Sequence, residues 1–306
     1  MTTDVAVTGA TPSWGSHGGP LTSTSAAPAE VELVRWALPA TATGGAVPTK
    51  HTVKPSGLPS KLFWGAAADV PALGGTLLSY TTEGAGFAGE VLLLSTDGAT
   101  EKSRAFVNGF FSGVALPGAT PRLVYTGLST LASVAPAAVD NGLWAGDYCD
   151  GFVSSCAPPA KVGSWGKASG PVVVDGAGAV FADQSTFGAD HEIRGFTADE
   201  LKSATPGAGA SMRKNLNFVG SQAALRPSAG DDGWLFVAES DPVTFAALPV
   251  EAVRYTAGAP TAGATVAPAI TPAKAGASLS LFGDGSSLWI AVDTATGGAF
   301  VEVRRK

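Results

Sequence analysis

The chain has 306 residues and a formal net charge of -6, with charged residues at only 14% against ~25% in an average soluble protein. An acidic balance with scattered basic residues gives no electrostatic footprint for nucleic acid or an anionic membrane, and the basic triplet Arg304-Arg305-Lys306 reads as a solvated end. Apolar residues are ordinary at 45% but come in short bursts, none approaching the ~18 consecutive apolar residues of a membrane-spanning helix.

Residues 1–29 are rich in Gly, Ser, Thr, Pro and Ala, which predicts a flexible arm ahead of one domain over 30–306. With 40 glycines and 21 prolines, that domain reads as many short strands joined by turns, an all-β chain. Val31–Trp36 is the first strong strand.

A unit then recurs. A Gly-containing turn precedes a short strand in Gly74–Tyr80 and in Pro121–Thr126. Stricter versions with Asp follow in Asp175–Ala182, Asp231–Ala238 and Asp284–Ala291. Taking Leu77, Leu123, Ala179, Leu235 and Leu288 as equivalent gives separations of 46, 56, 56 and 53 residues. Asp-Gly suits a hairpin because Gly takes positive φ freely and Asp bonds its own backbone. Each hairpin predicts the first two strands of a unit. Third strands follow at Glu90–Leu94, His191–Phe196, Val243–Ala247 and Ala299–Val303, and fourth strands at Ser103–Val107 and Glu251–Tyr255. Thr197, with Glu200 three residues on, opens a short capped helix, placed in a loop between units.

Strand-rich units of this period are what a β-propeller requires, and residues 31–306 resemble propellers in general. The resemblance implies five four-stranded blades, or six if Gly142–Ala145 belongs to an additional hairpin. It also implies that Val31–Trp36 completes the last blade, because the chain ends after that blade's third strand and ring closure hides two open edges. A pair of β-sandwiches or a β-helix is the competing fold. The sialidase-type Asp-box is approached by Asp284, Gly285 and Trp289 but fails where Ser286 replaces its glycine, and the WD signature is absent.

The two cysteines, Cys149 and Cys156, flank an Asp-Gly pair. This spacing suits a disulfide clamping a tight loop, with a free pair as the alternative. A disulfide implies an extracellular, periplasmic or particle-surface setting, although the N-terminus carries no signal-peptide pattern. The clamped loop presents Tyr148, Asp150 and Phe152 as a binding surface, since stiff aromatic loops give contact area at low entropic cost. Calcium wants more alternating oxygens than Asp147 and Asp150 supply, and His17, His51 and His191 lack metal-ligand spacing, so no metal or cofactor is implied.

Five-bladed arabinan- and xylan-cleaving propellers keep three carboxylates at the axis, which by resemblance makes Asp69, Asp183 and Glu239 the catalytic candidates. In Asp190-His191-Glu192 a strand would turn His191 away from both carboxylates. No nucleophile elbow, phosphate loop or dinucleotide fingerprint occurs. The sequence therefore points to a non-enzymatic binding or scaffold module recognising a protein or glycan through loops at one face. The alternatives are a glycan-active hydrolase on the same fold, or a virion or filament surface subunit that assembles through the N-terminal arm.

Overall fold

The computed structural model describes residues 2–8, 30–36, 48–54, 62–82, 88–108, 111–128, 141–152, 157–163, 172–185, 191–215, 224–227, 233–238, 250–256, 259–267, 279–283, 287–294 and 297–304. They form an almost purely β structure of antiparallel sheets in which each sheet's strands follow chain order. Four sheets have four strands. The second sheet contains β4 (Leu62–Val70), β5 (Gly75–Thr82), β6 (Ala88–Ser95) and β7 (Glu101–Asn108). The third contains β8 (Ser112–Leu116), β9 (Arg122–Leu128), β10 (Asn141–Asp147) and β11 (Ala160–Lys161). The fourth contains β12 (Val172–Val174), β13 (Val180–Ser185), β14 (His191–Phe196) and β15 (Ala210–Asn215). The fifth contains β16 (Ala224–Pro227), β17 (Trp234–Ala238), β18 (Val250–Thr256) and β19 (Ala259–Ala267). Two sheets have three strands: β1 (Thr2–Thr8), β2 (Glu30–Trp36) and β3 (Pro48–Val53) at the start, and β20 (Leu279–Gly283), β21 (Ser287–Thr294) and β22 (Gly297–Arg304) at the end. Among the described residues no helix is long and apolar enough to cross a membrane.

The first strands run side by side in series: β1 next to β4, β4 next to β8, then β12, β16 and β20. Successive sheets consequently pack face to face, and the layers between them form the core. Between the second and third sheets, Leu77, Val91, Leu93 and Val107 meet Leu123, Tyr125 and Trp144. Between the third and fourth, Val114, Val124 and Leu143 meet Val180, Phe196 and Leu201. Between the fourth and fifth, Phe181 and Ile193 meet Leu235 and Tyr255. Alternate side chains of a strand leave on opposite faces, so Leu123 and Tyr125 serve one layer while Val124 serves the next. A strand covered on both faces favours a near-continuous apolar run. This explains why Leu92, Leu93 and Leu94 are all buried in sequence, each contributing ~1.5–3 kcal/mol of burial.

The equivalent positions read from the repeat lie at the same point of successive sheets. Leu77, Leu123, Leu235 and Leu288 stand on second strands, and Ala179 immediately precedes one. First and second strands pair antiparallel as expected, with the turn residues 231–232 and 284–286 outside the described residues. The third strands at Glu90–Leu94, His191–Phe196 and Ala299–Val303 fall inside strands, as does the fourth strand at Ser103–Val107.

Several expectations change. Val31–Trp36 does not complete the last sheet: as β2 it lies between β1 and β3, pairing Val31 with Val7 and with Val53. Its partner β1 comes from the segment expected to be an arm. The run Thr2-Thr3-Asp4-Val5-Ala6-Val7-Thr8 is rich in β-branched residues, which favour a pleated strand. This N-terminal sheet raises the number of sheets to six. Gly142–Ala145 makes no extra hairpin but is part of β10, a third strand. Glu251–Tyr255 lies in β18, a third strand and not a fourth, and Val243–Ala247 lies outside the described residues. The short helix α1 (Ala198–Lys202) forms as read, with Thr197 accepting from the Glu200 backbone N–H. It connects β14 to β15 inside one sheet, not two units, and buries Leu201 between the third and fourth sheets.

Candidate functional site

In an up-and-down sheet the turn from first to second strand and the connection from third to fourth strand lie at the same end. That end of the stack gathers the 3-10 turn Pro71–Leu73, the turn 117–121, the Asp175 turn, helix α1 and the loop leaving β10. Cross-bonds at this end confirm the grouping: Tyr148 N–H donates to the Pro121 carbonyl at 2.8 Å, and Thr96 donates its hydroxyl to the Gly74 carbonyl at 3.1 Å.

The loop after β10 begins at Asp147, which stands opposite Arg122 in the ladder and pairs with its guanidinium at 2.9 Å. Arg122 also donates to the carbonyls of Leu201 and Ser203, tying the third sheet to helix α1. Asp150 and Gly151 then take φ of 56° and 136°, reversing the chain. Asp is among the few side chains that tolerate the left-handed region, and Asp150 is the only described non-glycine residue there. The reversal brings Phe152 edge-on to Tyr148, with ring centroids 5.5 Å apart and planes at 83°. Both rings are half-buried against the layer between the second and third sheets.

Ser103 of β7 anchors this loop from the neighbouring sheet. Its hydroxyl accepts from the Phe152 N–H at 3.0 Å and hydrogen-bonds the Tyr148 side chain. Burial pushes the Tyr148 pKa above its ordinary value, the Ser103 bond opposes that rise, and the charge of Asp150 adds to it. A Cβ on Gly151 would lie 3.2 Å from Ser103 Oγ. The three residues expected to bind are therefore brought together, with the rings turned toward the stack and Asp150 exposed at the tip. Cys149 is half-buried and is not a free thiol; Cys156 lies outside the described residues.

Of the catalytic candidates, Asp69 and Asp183 stand on different sheets. Asp69, at the end of β4, is exposed and accepts from the Thr76 hydroxyl at 2.7 Å, which stabilises a hairpin. Asp183 pairs through its backbone with Ile193 in the fourth sheet, and its side chain lies outside the described residues, as does all of Glu239. Glu192 is bonded to Arg194 at 3.3 Å. Asp190 and the side chain of His191 lie outside the described residues. Among the described residues no group of three or more His, Cys, Asp or Glu side chains could hold a metal.

Two polar arrangements were not legible in the sequence. In the second sheet Glu90 is fully buried, directly opposite Tyr80, whose hydroxyl donates to it. Arg104 donates to Glu90 at 2.9 Å, grips Glu101 with two bonds of 2.9 and 2.7 Å and reaches the Lys54 carbonyl beyond β3. Burial, then the bond to Glu90, holds the Tyr80 hydroxyl far above its ordinary pKa. The grip on Glu101 raises the guanidinium further, against the opposing effect of burial. A buried carboxylate is tolerable only when paired and hydrogen-bonded, and the Arg104 that pairs with it also reaches the chain just beyond the first sheet.

The second arrangement is the Asp175 turn. Asp175 accepts from the backbone N–H groups of Ala177 and Ala179 and, from the fifth sheet, from the Tyr255 hydroxyl at 2.6 Å. The Asp of the turn signature is thus a joint between sheets as well as a turn former.

No protein family model matches this sequence, and no curated protein is detectably similar to it.

Proposed function

We propose that the chain is a non-enzymatic binding or scaffold module of the β-propeller kind, acting outside the reducing cytoplasm. In this reading the six sheets close into a ring, and a Cys149–Cys156 bridge clamps the loop after β10. The loop and the neighbouring first-to-second-strand turns form the face that meets a protein or glycan. The serial adjacency of first strands supports the ring, since blades radiate from their innermost strands.

The observation that carries the binding role is the anchoring of Tyr148–Phe152 on Ser103. A loop fixed by a neighbouring sheet meets a partner without paying the entropy of ordering, and it keeps Asp147 and Asp150 exposed beside half-buried rings. Mixed aromatic and acidic edges of this kind suit a partner offering hydroxyls or basic groups.

The test is immobilised wild-type protein exposed to glycan and protein arrays, beside Ser103→Ala and Asp150→Ala. Binding weakened roughly tenfold or more by Asp150→Ala, the worth of one charge-assisted hydrogen bond, or about fivefold by Ser103→Ala, the worth of a neutral one, with unaltered circular dichroism, supports the reading. Rapid glycan hydrolysis, or binding that both variants retain in full, overturns it.

A further inference from the structure

The sequence holds five Asp-Gly pairs, and three of them have both residues described: Asp97-Gly98, Asp150-Gly151 and Asp175-Gly176. Asp-Gly is the dipeptide in which a side-chain carboxyl is most easily attacked by the following backbone nitrogen, because glycine places no Cβ in the way. Whether a given pair reacts in a folded protein depends on how firmly its carboxylate and its amide are held.

The three pairs are held very differently. The carboxylate of Asp97 accepts from the Ser95 hydroxyl and from the Ala99 N–H, and the attacking group, the Gly98 N–H, is donated to the Ser95 carbonyl at 2.7 Å. Asp175 accepts three bonds, from Ala177, Ala179 and Tyr255. Asp150 is exposed, and among the described residues nothing donates to its carboxylate. It also sits in the left-handed region, followed by a glycine at φ 136°, so the backbone there is less favourable for an L residue than at the other two.

We infer that Asp150-Gly151 is a site of spontaneous covalent modification, the point at which this protein converts aspartate to isoaspartate. The Gly151 nitrogen attacks the Asp150 side-chain carboxyl carbon and a new C–N bond forms. The carboxylate first takes up one solvent proton, and its hydroxyl then leaves with the amide proton as water, giving a five-membered cyclic imide. Water then adds to one of the imide's two carbonyls. Attack at the side-chain carbonyl breaks the new bond and restores aspartate. Attack at the backbone carbonyl breaks the original peptide C–N bond and leaves the chain running through the side chain with a free α-carboxylate. No oxidant or cofactor is consumed, and the product has the mass of the starting protein.

The change lands in the loop that joins the third sheet to the second. It inserts one methylene into the backbone between Tyr148 and Phe152, and the bond from the Phe152 N–H to Ser103 no longer fits its register. The modified protein carries a loosened loop on an unchanged stack, and this outcome holds whether or not the loop binds a partner.

The experiment ages the folded full chain at neutral pH and physiological temperature, then maps peptides by mass spectrometry with fragmentation that distinguishes isoaspartate from aspartate. The expected result is isoaspartate at Asp150 forming at least about tenfold faster than at Asp97 or Asp175, the factor that one charge-assisted hydrogen bond supplies. A transient species lighter by one water should appear in the same peptide. Asp150→Glu, which needs a larger ring, should abolish conversion there. Asp150→Asn, with a better leaving group, should accelerate it. Equal rates at the three sites in the folded chain, or no conversion at Asp150 in either wild type or Asp150→Asn, would overturn the inference.

Discussion

The hydroxyl of Tyr255 donates to the carboxylate of Asp175 across an interval of eighty residues, at 2.6 Å. The bond runs from the third strand of the fifth sheet to the first turn of the fourth. Beside it the Phe181 and Tyr255 rings pack at 4.6 Å with planes at 60°, so a polar clasp closes the edge of an apolar layer.

This clasp is separable from the turn it sits on. Tyr255→Phe keeps the ring and removes one bond to a charged acceptor, and is expected to lower stability by about 1.5 kcal/mol. Asp175→Ala also strips the acceptor from two backbone N–H groups and should cost more, about 3 kcal/mol. In a urea-unfolding double-mutant cycle the two losses should be less than additive, because they share one bond. Strict additivity would show that the contact contributes nothing.

Arg104 compensates a carboxylate that has no access to water. Removing its guanidinium leaves the buried Glu90 carboxylate without that countercharge, a loss of about 3–5 kcal/mol. Replacing both charges together, in Glu90→Gln with Arg104→Met, should recover part of it. Equilibrium unfolding of the single and double variants decides this, and a double variant less stable than Arg104→Met alone would refute it.

Much of the strand pattern was written in the residues that form it. Leu77, Leu123, Leu235 and Leu288 mark second strands because the turn chemistry before each is local, and a hairpin is decided by the few residues at its bend. The third strand of the fifth sheet was misplaced for a related reason. The segment from Asp241 to Tyr255 contains two runs that suit a strand equally by composition, and only pairing with β17 selects Val250–Thr256. The N-terminal sheet was hidden because β1 and β2 are separated by residues 9–29, whose composition dominates any reading of that end. At the candidate site, Tyr148 and Phe152 were visible as aromatics near a turn. Ser103, which holds them, belongs to another sheet, and nothing in a lone serine announces a partner some fifty residues away. Glu90 was equally silent, since the pairing that sets it opposite Tyr80 and within reach of Arg104 is made only when three strands assemble.

Alkaline pH should destabilise the fold through its tyrosines. Burial holds the hydroxyls of Tyr80, Tyr125 and Tyr148 above their ordinary pKa of about 10. Above that pH the unfolded chain releases protons that the folded chain keeps, so the folded state binds more protons and stability falls as pH rises. Each of the two buried tyrosines, Tyr80 and Tyr125, should remove about 1.4 kcal/mol per pH unit beyond pH ~10. Urea midpoints should drop steeply there and level off below. An ultraviolet titration of the native protein showing all four tyrosines ionising near pH 10 would contradict this.

Gly209 marks where the chain leaving helix α1 passes beneath an aromatic ring to start β15. Its φ is +67°, and a Cβ there would lie 2.5 Å from Phe196 Cε1. Alanine thus meets three obstacles: a left-handed backbone, costing ~1–2 kcal/mol for a residue with a Cβ, a ring that is fully buried and has no free space to retreat into, and the Gly195 carbonyl oxygen at 2.8 Å. Gly209→Ala should lose about 3 kcal/mol in all. Phe196→Leu on the Gly209→Ala background should recover part of that loss by vacating the ring edge, even though Phe196→Leu alone destabilises the wild type. Thermal and urea unfolding of the two single variants and the double variant separate the contributions. If the second change merely adds its own cost, the ring is not what excludes a side chain at position 209.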